Sequence, residues 1–145
     1  MDPVIETTSG KLAGRIRDGV TRFLGIPYAR APIGPRRFRP PEPPESWAGV
    51  RPADTFGGSA PQTALGAGAL PGTSVGAQSE DCLYLNAWTP AADAARRPVL
   101  VWIHGGGFTH GAASEDLYNG GPLAERGDVV VVTINYRLGA FGYLW

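Results

Sequence analysis

Three consecutive glycines follow an apolar run in the segment VLVWIHGGGFTHG, which extends from Val99 to Gly111. Glycines directly after a buried strand let the backbone turn sharply, and they let a ligand atom approach backbone N–H groups with no Cβ in the way. Three chemistries use such a loop: dinucleotide binding, phosphate binding, and stabilisation of the oxyanion that forms in acyl transfer. The residues around the glycines decide among them.

The nucleotide interpretations are the weaker ones. A loose G-x-G-x-x-x-G pattern begins at Gly105, but a dinucleotide site needs an acidic residue after the next strand, and Val129–Ile134 is followed by Asn135. A phosphate loop needs lysine after its glycines, and the only lysine is Lys11, far upstream. The HGGG segment therefore favours an oxyanion hole, with a tight turn that binds nothing as the remaining alternative.

A literal G-x-S-x-G nucleophile pattern occurs at Gly72–Gly76, with Ser74 at its centre. A nucleophile elbow needs a strand before it and a helix after it, so that the serine is held exposed on a strained turn. The small, Gly-rich sequence around Ser74 instead predicts a surface loop over Thr63–Gln78. We therefore do not expect Ser74 to be a nucleophile.

The two histidines are interpreted as loop residues rather than as general bases for Ser74 or Ser114. His104 opens the glycine loop, and His110 lies near its end. Together with the acidic residues that follow the loop they lack the compact spacing of metal ligands, so no metal site is expected. Those acidic residues are Glu115 and Asp116.

The composition argues against two classes of partner. The formal net charge of the 145 residues is zero, which gives no electrostatic attraction to nucleic acids or acidic membranes. The amino terminus lacks the basic and apolar regions of a signal peptide, and no window approaches the roughly 18 apolar residues of a membrane span. We expect a soluble, cytoplasmic protein with a single domain.

The first third of the chain predicts antiparallel strands. Runs with β-branched residues at Val4–Thr8, Lys11–Ile16 and Val20–Ile26 are separated by Ser9-Gly10 and Asp18-Gly19. Such dipeptides suit tight hairpin turns, and the pattern predicts a small antiparallel meander. Residues 27–61 contain too many prolines for regular structure, so the aromatic residues within them are expected to pin an extended segment to the core. These aromatic residues are Phe38, Trp47 and Phe56.

The remainder predicts an α/β arrangement. The segment EDCLYLNAWTP alternates at strand period and closes at Pro90. Val99–Ile103 and Val129–Ile134 are continuously apolar, which is typical of parallel strands buried on both faces. Between them Pro122–Arg126 predicts a short helix that ends at Gly127, so the two strands are expected to be joined by a crossover.

Four collinear segments resemble the type-B carboxylesterase family, which includes carboxylesterases, cholinesterases and para-nitrobenzyl esterases. They are FLGIPYARAPIGPRRFRPPEPPESWAGV, SEDCLYLNAWTP, VLVWIHGGGF and INYRLGAFGYL. Only Thr63–Gln78 remains unmatched. The resemblance implies that residues 1–145 are the N-terminal portion of an α/β-hydrolase domain, a meander followed by the first strands of a mixed, mainly parallel sheet. It implies a small carboxylic ester as substrate and no cofactor.

The resemblance also implies the roles of the loop residues. Gly106 and Gly107 match the two glycines whose N–H groups line the oxyanion hole of the family, the third donor being the residue after the nucleophile. Gly111 lies outside that motif, so Gly111→Ala is expected to affect catalysis much less than Gly107→Ala. Three further residues match structural positions beside the site: His104, Gly105 and Phe108.

Three charged residues match structural positions of the family. Glu80 and Arg37 match an ion pair that fastens the N-terminal block, and Arg137 matches an arginine in a buried salt bridge. Cys82 matches a cysteine that is disulfide-bonded in secreted animal members, but it is the only cysteine here. A small buried thiol in an intracellular enzyme is therefore expected.

The catalytic triad is not expected within this chain. An esterase of this fold needs a nucleophilic serine on its elbow, then an acid, then a histidine, in that order, and we expect all three beyond Trp145. This chain would supply the oxyanion donors and one wall of the acyl pocket, and the remainder of the esterase would be its partner. Alone it is expected to be inactive. The alternative is a non-catalytic, cholinesterase-like binding module or an inactive truncated product.

Overall fold

The computed structural model describes residues 2–63 and 72–144, which form two β-sheets and a few short helices. In chain order the strands are β1 (Val4–Thr7), β2 (Gly10–Ala13), β3 (Arg15–Arg17), β4 (Val20–Pro27), β5 (Val50–Pro52), β6 (Tyr84–Thr89), β7 (Val99–Ile103) and β8 (Val130–Ile134). The α-helices are α1 (Gly121–Gly127) and α2 (Gly139–Tyr143), and two 3₁₀ helices span Gly34–Arg36 and Asp116–Tyr118. No helix among these residues is long and apolar enough to cross a membrane.

The predicted meander is divided between the two sheets. Strands β1 and β2 pair antiparallel, and β5 joins β2 in parallel to form a three-stranded sheet. The predicted single run Lys11–Ile16 is wrong, because the chain leaves this sheet at Gly14 and enters the larger sheet as β3. The predicted turn at Asp18-Gly19 is confirmed: both residues have positive φ, 50° and 78°, as a type I′ hairpin requires.

The larger sheet is mixed, as the resemblance implies, but only one of its four strand pairings among the described residues is parallel. Its strand order is β3-β4-β6-β8-β7, in which β7 and β8 are parallel and the other neighbours are antiparallel. Helix α1 connects β7 to β8 and confirms the predicted short helix, with Pro122 in its first turn. Its Ala124 packs against Trp88 and Val131, which buries one face of the sheet.

Strand β7 is not buried on both faces in the part of the chain that the structure describes. Its side chains are between 39% and 63% exposed, because β7 lies at the sheet edge and pairs only with β8 among the described residues. Strand β8, one position further in, alternates between half-buried residues and the buried Val131 and Thr133. A continuous apolar run identifies a strand that avoids water, but it does not reveal which element covers the strand.

One of the three aromatic residues in the proline-rich segment pins it to the core. Trp47 packs beside Leu12 and Phe23, and its indole Nε1 donates a hydrogen bond to the Lys11 carbonyl at 2.8 Å. The same prediction is wrong for Phe56 and Phe38, which are exposed. The ring of Phe38 stacks on Phe141 with centroids 5.9 Å apart. Of the predicted loop Thr63–Gln78, residues 73–76 are coil, and residues 64–71 lie outside the described part.

The 145-residue polypeptide by itself is expected to self-associate through β7. The free edge of this strand presents unpaired backbone groups beside exposed Val, Leu, Trp and Ile side chains. Val101→Lys places a charge on that edge and should shift the polypeptide toward monomer in size-exclusion chromatography with light scattering. Val50→Lys, at an equally exposed position on β5, is the matched control and should leave association unchanged. A monodisperse, cooperatively melting parent monomer would contradict this expectation.

Candidate functional site

The glycine loop begins where β7 ends, at Ile103, and its backbone takes three successive positive φ angles. These are 124° at Gly106, 59° at Gly107 and 64° at Phe108. A Cβ on Gly106 would lie 1.9 Å from the His110 carbonyl oxygen, so only glycine fits there. A Cβ on Gly107 would meet nothing within 4 Å. The fold therefore requires the first of these glycines sterically, and requires the second only through its φ.

The N–H groups of Gly106 and Gly107 are unpaired within the described residues. The Gly106 carbonyl accepts hydrogen bonds from the backbone N–H of Thr109 at 3.1 Å and of His110 at 3.2 Å, which closes the loop as a turn. No described residue accepts a hydrogen bond from the N–H of Gly106 or Gly107, and Gly107 is exposed. Two free backbone donors in succession can bind an oxygen that carries negative charge.

His104 anchors the start of the loop. It is buried, its ring stacks on Tyr136 with centroids 4.4 Å apart, and its carbonyl accepts a hydrogen bond from the Tyr136 hydroxyl at 2.8 Å. Burial lowers the pKa of His104 below its ordinary value, so the ring is neutral at pH 7. Its Nδ1 lies 2.9 Å from the Gly105 carbonyl oxygen. His104 therefore contacts both the glycine loop and Tyr136, which follows β8. Its position is structural.

Phe108 and Gly111 are held at the far side of the loop. The Phe108 carbonyl accepts a hydrogen bond from the Gly139 N–H at 2.8 Å, and its ring lies 5.0 Å from that of Tyr143 on α2. Gly111 itself leaves no room for a Cβ. Its φ is 107°, and a Cβ there would lie 2.5 Å from both the Gly105 carbonyl oxygen and His104 Nδ1. Gly111 is the point at which the end of the loop packs against its beginning.

Buried polar side chains on β6 and β8 hold the segment that follows the loop. Asn86 Nδ2 donates to Thr133 Oγ1 at 3.0 Å, and that hydroxyl donates to the Ala113 carbonyl at 3.0 Å. The Ala113 N–H donates to Asn135 Oδ1 at 2.7 Å, and Asn135 Nδ2 donates to the Gly58 carbonyl at 3.0 Å. Sequence reasoning assigned no role to these three side chains. The signal was the presence of polar residues in otherwise apolar strands.

The other candidate groups do not form a catalytic pair among the described residues. Ser74 is exposed in coil, and residues 73–80 contain no helix of the kind that follows a nucleophile elbow. His110 Nδ1 lies 3.0 Å from Thr109 Oγ1, while the Ser114 hydroxyl donates to the Val75 carbonyl at 3.4 Å. The buried Glu115 carboxylate accepts a hydrogen bond from the Ala112 N–H at 2.9 Å. Within residues 2–63 and 72–144 no three His, Cys, Asp or Glu side chains are grouped to hold a metal ion.

Of the three charged residues named from sequence, Arg37 and Glu80 form an ion pair. Arg137 contacts no carboxylate among the described residues. Arg37 Nε and Nη2 each lie 2.6 Å from a different oxygen of Glu80, a bidentate ion pair. Arg137 Nη1 donates to the Arg39 carbonyl at 2.9 Å. Among the described residues no carboxylate lies within 4.0 Å of the Arg137 guanidinium, so the expected buried salt bridge is not formed there.

Cys82 is a free, buried thiol, which confirms the prediction made from sequence. Burial is the main cause that raises the pKa of this thiol, to about 11. At neutral pH the sulfur is therefore protonated, and it is a poor nucleophile.

Comparison with known proteins decides the family of the chain. The sequence profile of the carboxylesterase family matches residues 1–145. The chain belongs to the carboxylesterase family. It is 48% identical over 141 residues to the para-nitrobenzyl esterase of Bacillus subtilis (strain 168), an alignment that covers 97% of this chain and 29% of that protein. It is 44% identical over 156 aligned positions to the acetylcholinesterase of Gallus gallus, covering 98% of this chain and 20% of that protein.

Solved carboxylesterase structures share the fold. The Geobacillus stearothermophilus carboxylesterase EST55 at pH 6.2 matches with a TM-score of 0.87 and 54% identity, over 97% of this chain and 27% of that one. A thermophilic PNB esterase matches with a TM-score of 0.91 and 45% identity, over 100% of this chain and 30% of that one. The predicted α/β-hydrolase fold class is thereby confirmed. This carboxylesterase chain spans less than a third of the length of these relatives.

The neutral state of His104 predicts a pH-dependent stability. Because the folded pKa of His104 is below its unfolded value near 6.5, its contribution is complete above about pH 6.5 and is lost as the pH falls toward the folded pKa. His104→Phe keeps a ring against Tyr136 but removes the titration. The drop in melting temperature from about pH 7.5 to about pH 5.5 should therefore be smaller in this variant of the full-length protein.

The matched control for this experiment is His110→Phe, at a loop position outside the His104–Tyr136 stack. Its drop should be closer to that of the parent protein than the drop of His104→Phe is, because His110 makes the smallest of the contributions to the pKa shift of His104. A drop in His104→Phe as large as that of the parent would show that His104 does not carry this part of the pH dependence.

Proposed function

We propose that this chain is the N-terminal portion of a serine carboxylesterase, and that residues 1–145 belong to one α/β-hydrolase domain that continues beyond them. Two observations support this. The chain matches esterases over nearly its whole length, whereas it spans less than a third of theirs. The described residues also contain no serine in an elbow context and no serine–histidine pair.

The observation that carries the proposal is the pair of unpaired N–H groups on Gly106 and Gly107. In the proposed enzyme they are two of the three donors of the oxyanion hole, and the residue after the nucleophile supplies the third. Gly106 is glycine because the loop cannot close around a Cβ, and Gly107 is glycine because its φ is 59°. Neither glycine carries a side chain that would block an approaching carbonyl oxygen.

The proposed reaction is ester hydrolysis through an acyl-enzyme. A serine outside the present chain attacks the ester carbonyl and gives its proton to a histidine, and the carbonyl oxygen becomes a tetrahedral oxyanion. The N–H groups of Gly106 and Gly107 stabilise that charge until the bond to the alcohol breaks and the alcohol leaves with the proton. Water then attacks the acyl-enzyme by the same steps, releasing the carboxylic acid. No metal ion or organic cofactor is needed.

The neighbouring residues keep the donors in place in this proposal. His104 and Phe108 fix the two sides of the loop through their carbonyls, which bind Tyr136 and Gly139. A Cβ on Gly105 would meet nothing within 4 Å, so the proposed role of this residue is to extend the loop away from β7. The Arg37–Glu80 ion pair ties the N-terminal block to the segment that leads into β6.

A cytoplasmic location and a small-molecule ester substrate complete the proposal. The single cysteine of the sequence is buried and free, which suits a reducing compartment. The zero net charge gives no support for nucleic acid or an acidic membrane surface as a partner.

Gly107→Ala in the full-length protein tests the oxyanion assignment. A Cβ at Gly107 meets no neighbour, so the variant should fold with only the strain of its positive φ, about 1–2 kcal/mol. The same Cβ crowds the approaching carbonyl oxygen and tilts a donor. Loss of one donor typically lowers kcat by about 10²–10³-fold. The measurement is kcat on a short activated ester, with melting temperature followed in parallel.

Gly34→Ala is the matched control, because Gly34 has a φ of 54° and its Cβ would likewise meet nothing within 4 Å. It should lower the melting temperature by a similar amount and leave kcat unchanged. If Gly107→Ala also leaves kcat within a few-fold of the parent, the loop is a structural turn and the oxyanion assignment fails.

The 145-residue polypeptide alone is expected to show no esterase turnover, because its serines lack an elbow. The assay uses a short activated ester, with Ser74→Ala measured beside the parent polypeptide. Turnover that Ser74→Ala abolishes would make Ser74 the nucleophile and overturn the proposal. If the full-length protein is also inactive while properly folded, the alternative of a non-catalytic, cholinesterase-like binding module is supported instead.

A further inference from the structure

A side chain from outside the sheet binds the last residue of the glycine loop. Gln62 Oε1 accepts a hydrogen bond from the Gly111 N–H at 2.8 Å, and Gln62 Nε2 donates to the Gly111 carbonyl at 3.0 Å. The second N–H of the same nitrogen is used by the Ala60 carbonyl, also at 3.0 Å. Both donors of the carboxamide and its oxygen are therefore engaged. The Gln62 side chain therefore binds both the N–H and the carbonyl of Gly111, as the backbone of a neighbouring strand would.

The hydrogen bonds from Gln62 affect the rest of the loop through Gly111. The space where its Cβ would lie is 2.5 Å from the Gly105 carbonyl oxygen and from His104 Nδ1. The end of the loop is thus in close contact with its beginning. A displacement of Gly111 therefore changes the packing around Gly105, the residue immediately before the two oxyanion donors.

Among the described residues two anchors from beyond β8 also hold the loop, and each binds a single carbonyl. Tyr136 binds the carbonyl of His104, and Gly139 binds that of Phe108. Both anchors follow β8 in the sequence, whereas Gln62 precedes Gly111 by 49 residues and lies in coil. Gln62 thus fixes the side of the loop that the anchors after β8 leave free, and it engages both backbone groups of one residue.

We propose that Gln62 is a positioning residue for ester hydrolysis, which holds Gly106 and Gly107 at the distance that an oxyanion requires. This inference rests on the proposed function of those two glycines. An oxyanion hole is effective only when its donors are held about 2.7–3.1 Å from the position that the oxyanion will occupy. A misplacement of about 1 Å by a remote change can lower the rate about 10²-fold.

Gln62→Met in the full-length protein tests the inference. Methionine has a similar length and shape but donates no hydrogen bond, so the Gly111 carbonyl and N–H lose their partner while the volume is kept. We expect kcat per active site to fall about 10- to 100-fold, with KM for a short activated ester within about three-fold of the parent. Active sites are counted from the burst of acyl-enzyme formation, so that misfolded protein does not enter the rate.

Two further variants make the result decisive. Gln62→Ala leaves room for water to hydrate Gly111, so it serves if the methionine variant does not fold, and it should show the same split between kcat and KM. Thr7→Val is the matched control, because Thr7 Oγ1 likewise donates to a backbone carbonyl, that of Gly10 at 2.8 Å, and accepts a backbone N–H, that of Ser9 at 3.2 Å, but it does so in the turn between β1 and β2. Its kcat should equal that of the parent.

Unchanged kcat per active site in both Gln62 variants, with a fall in melting temperature alone, overturns the inference and gives Gln62 a purely structural role. If Gly107→Ala still lowers kcat in the same assay, the proposed function stands without it. If Gly107→Ala and the Gln62 variants all keep the parent kcat, the oxyanion assignment fails and the inference fails with it.

Discussion

The arrangement of this chain depends on the requirement that buried polar groups be paired. Strands β6 and β8 lie in the interior of the larger sheet, yet they carry the buried Asn86 and Thr133, and the buried Asn135 directly follows β8. A buried amide or hydroxyl without a partner costs about 1–3 kcal/mol, so these side chains fix the backbone that satisfies them. That backbone is Ala113, whose N–H and carbonyl are both taken. The position of the glycine loop, directly before it, follows from this pairing.

The loop contains glycines that are required for two different physical reasons. Gly106 is required by packing, because the His110 carbonyl occupies the space of a Cβ, while Gly107 is required only by its backbone angle. A change at the first position therefore reports on folding, whereas a change at the second tests the proposed oxyanion role. The same distinction explains why Gly111, which lies outside the HGGG motif, is nevertheless a demanding position.

Sequence reasoning succeeded where local chemistry determines the structure. The turn at Asp18-Gly19 and the helix that begins near Pro122 follow from φ preferences of single residues, and the glycine loop follows from its position after an apolar strand. It failed where the answer depends on contacts between distant segments. The exposure of β7 is set by its place in the strand order, and the crowding at Gly111 by how the loop folds back on Gly105.

The partners of the polar side chains could not be predicted from the sequence for the same reason. Gln62 and Gly111 are 49 residues apart, and Asn86 and Thr133 are 47 apart. Their types indicate that each needs a partner, but no periodicity in the sequence indicates which backbone group it finds. A polar residue within an apolar strand is thus a sign of a long-range hydrogen bond whose other end must come from the structure.

The bridge between Ser59 and Gln78 has a consequence for how chains of this fold can differ in length. The Ser59 N–H donates to the Ala77 carbonyl at 2.9 Å, and the Ser79 N–H donates to the Ser59 carbonyl at 2.8 Å. These bonds hold together two points of the chain, one before Gln62 and one after Gly76. Doubling the number of residues between two fixed points costs only about 0.6 kcal/mol of closure entropy. Insertions between Gln62 and Gly76 can therefore accumulate over evolution without moving either sheet.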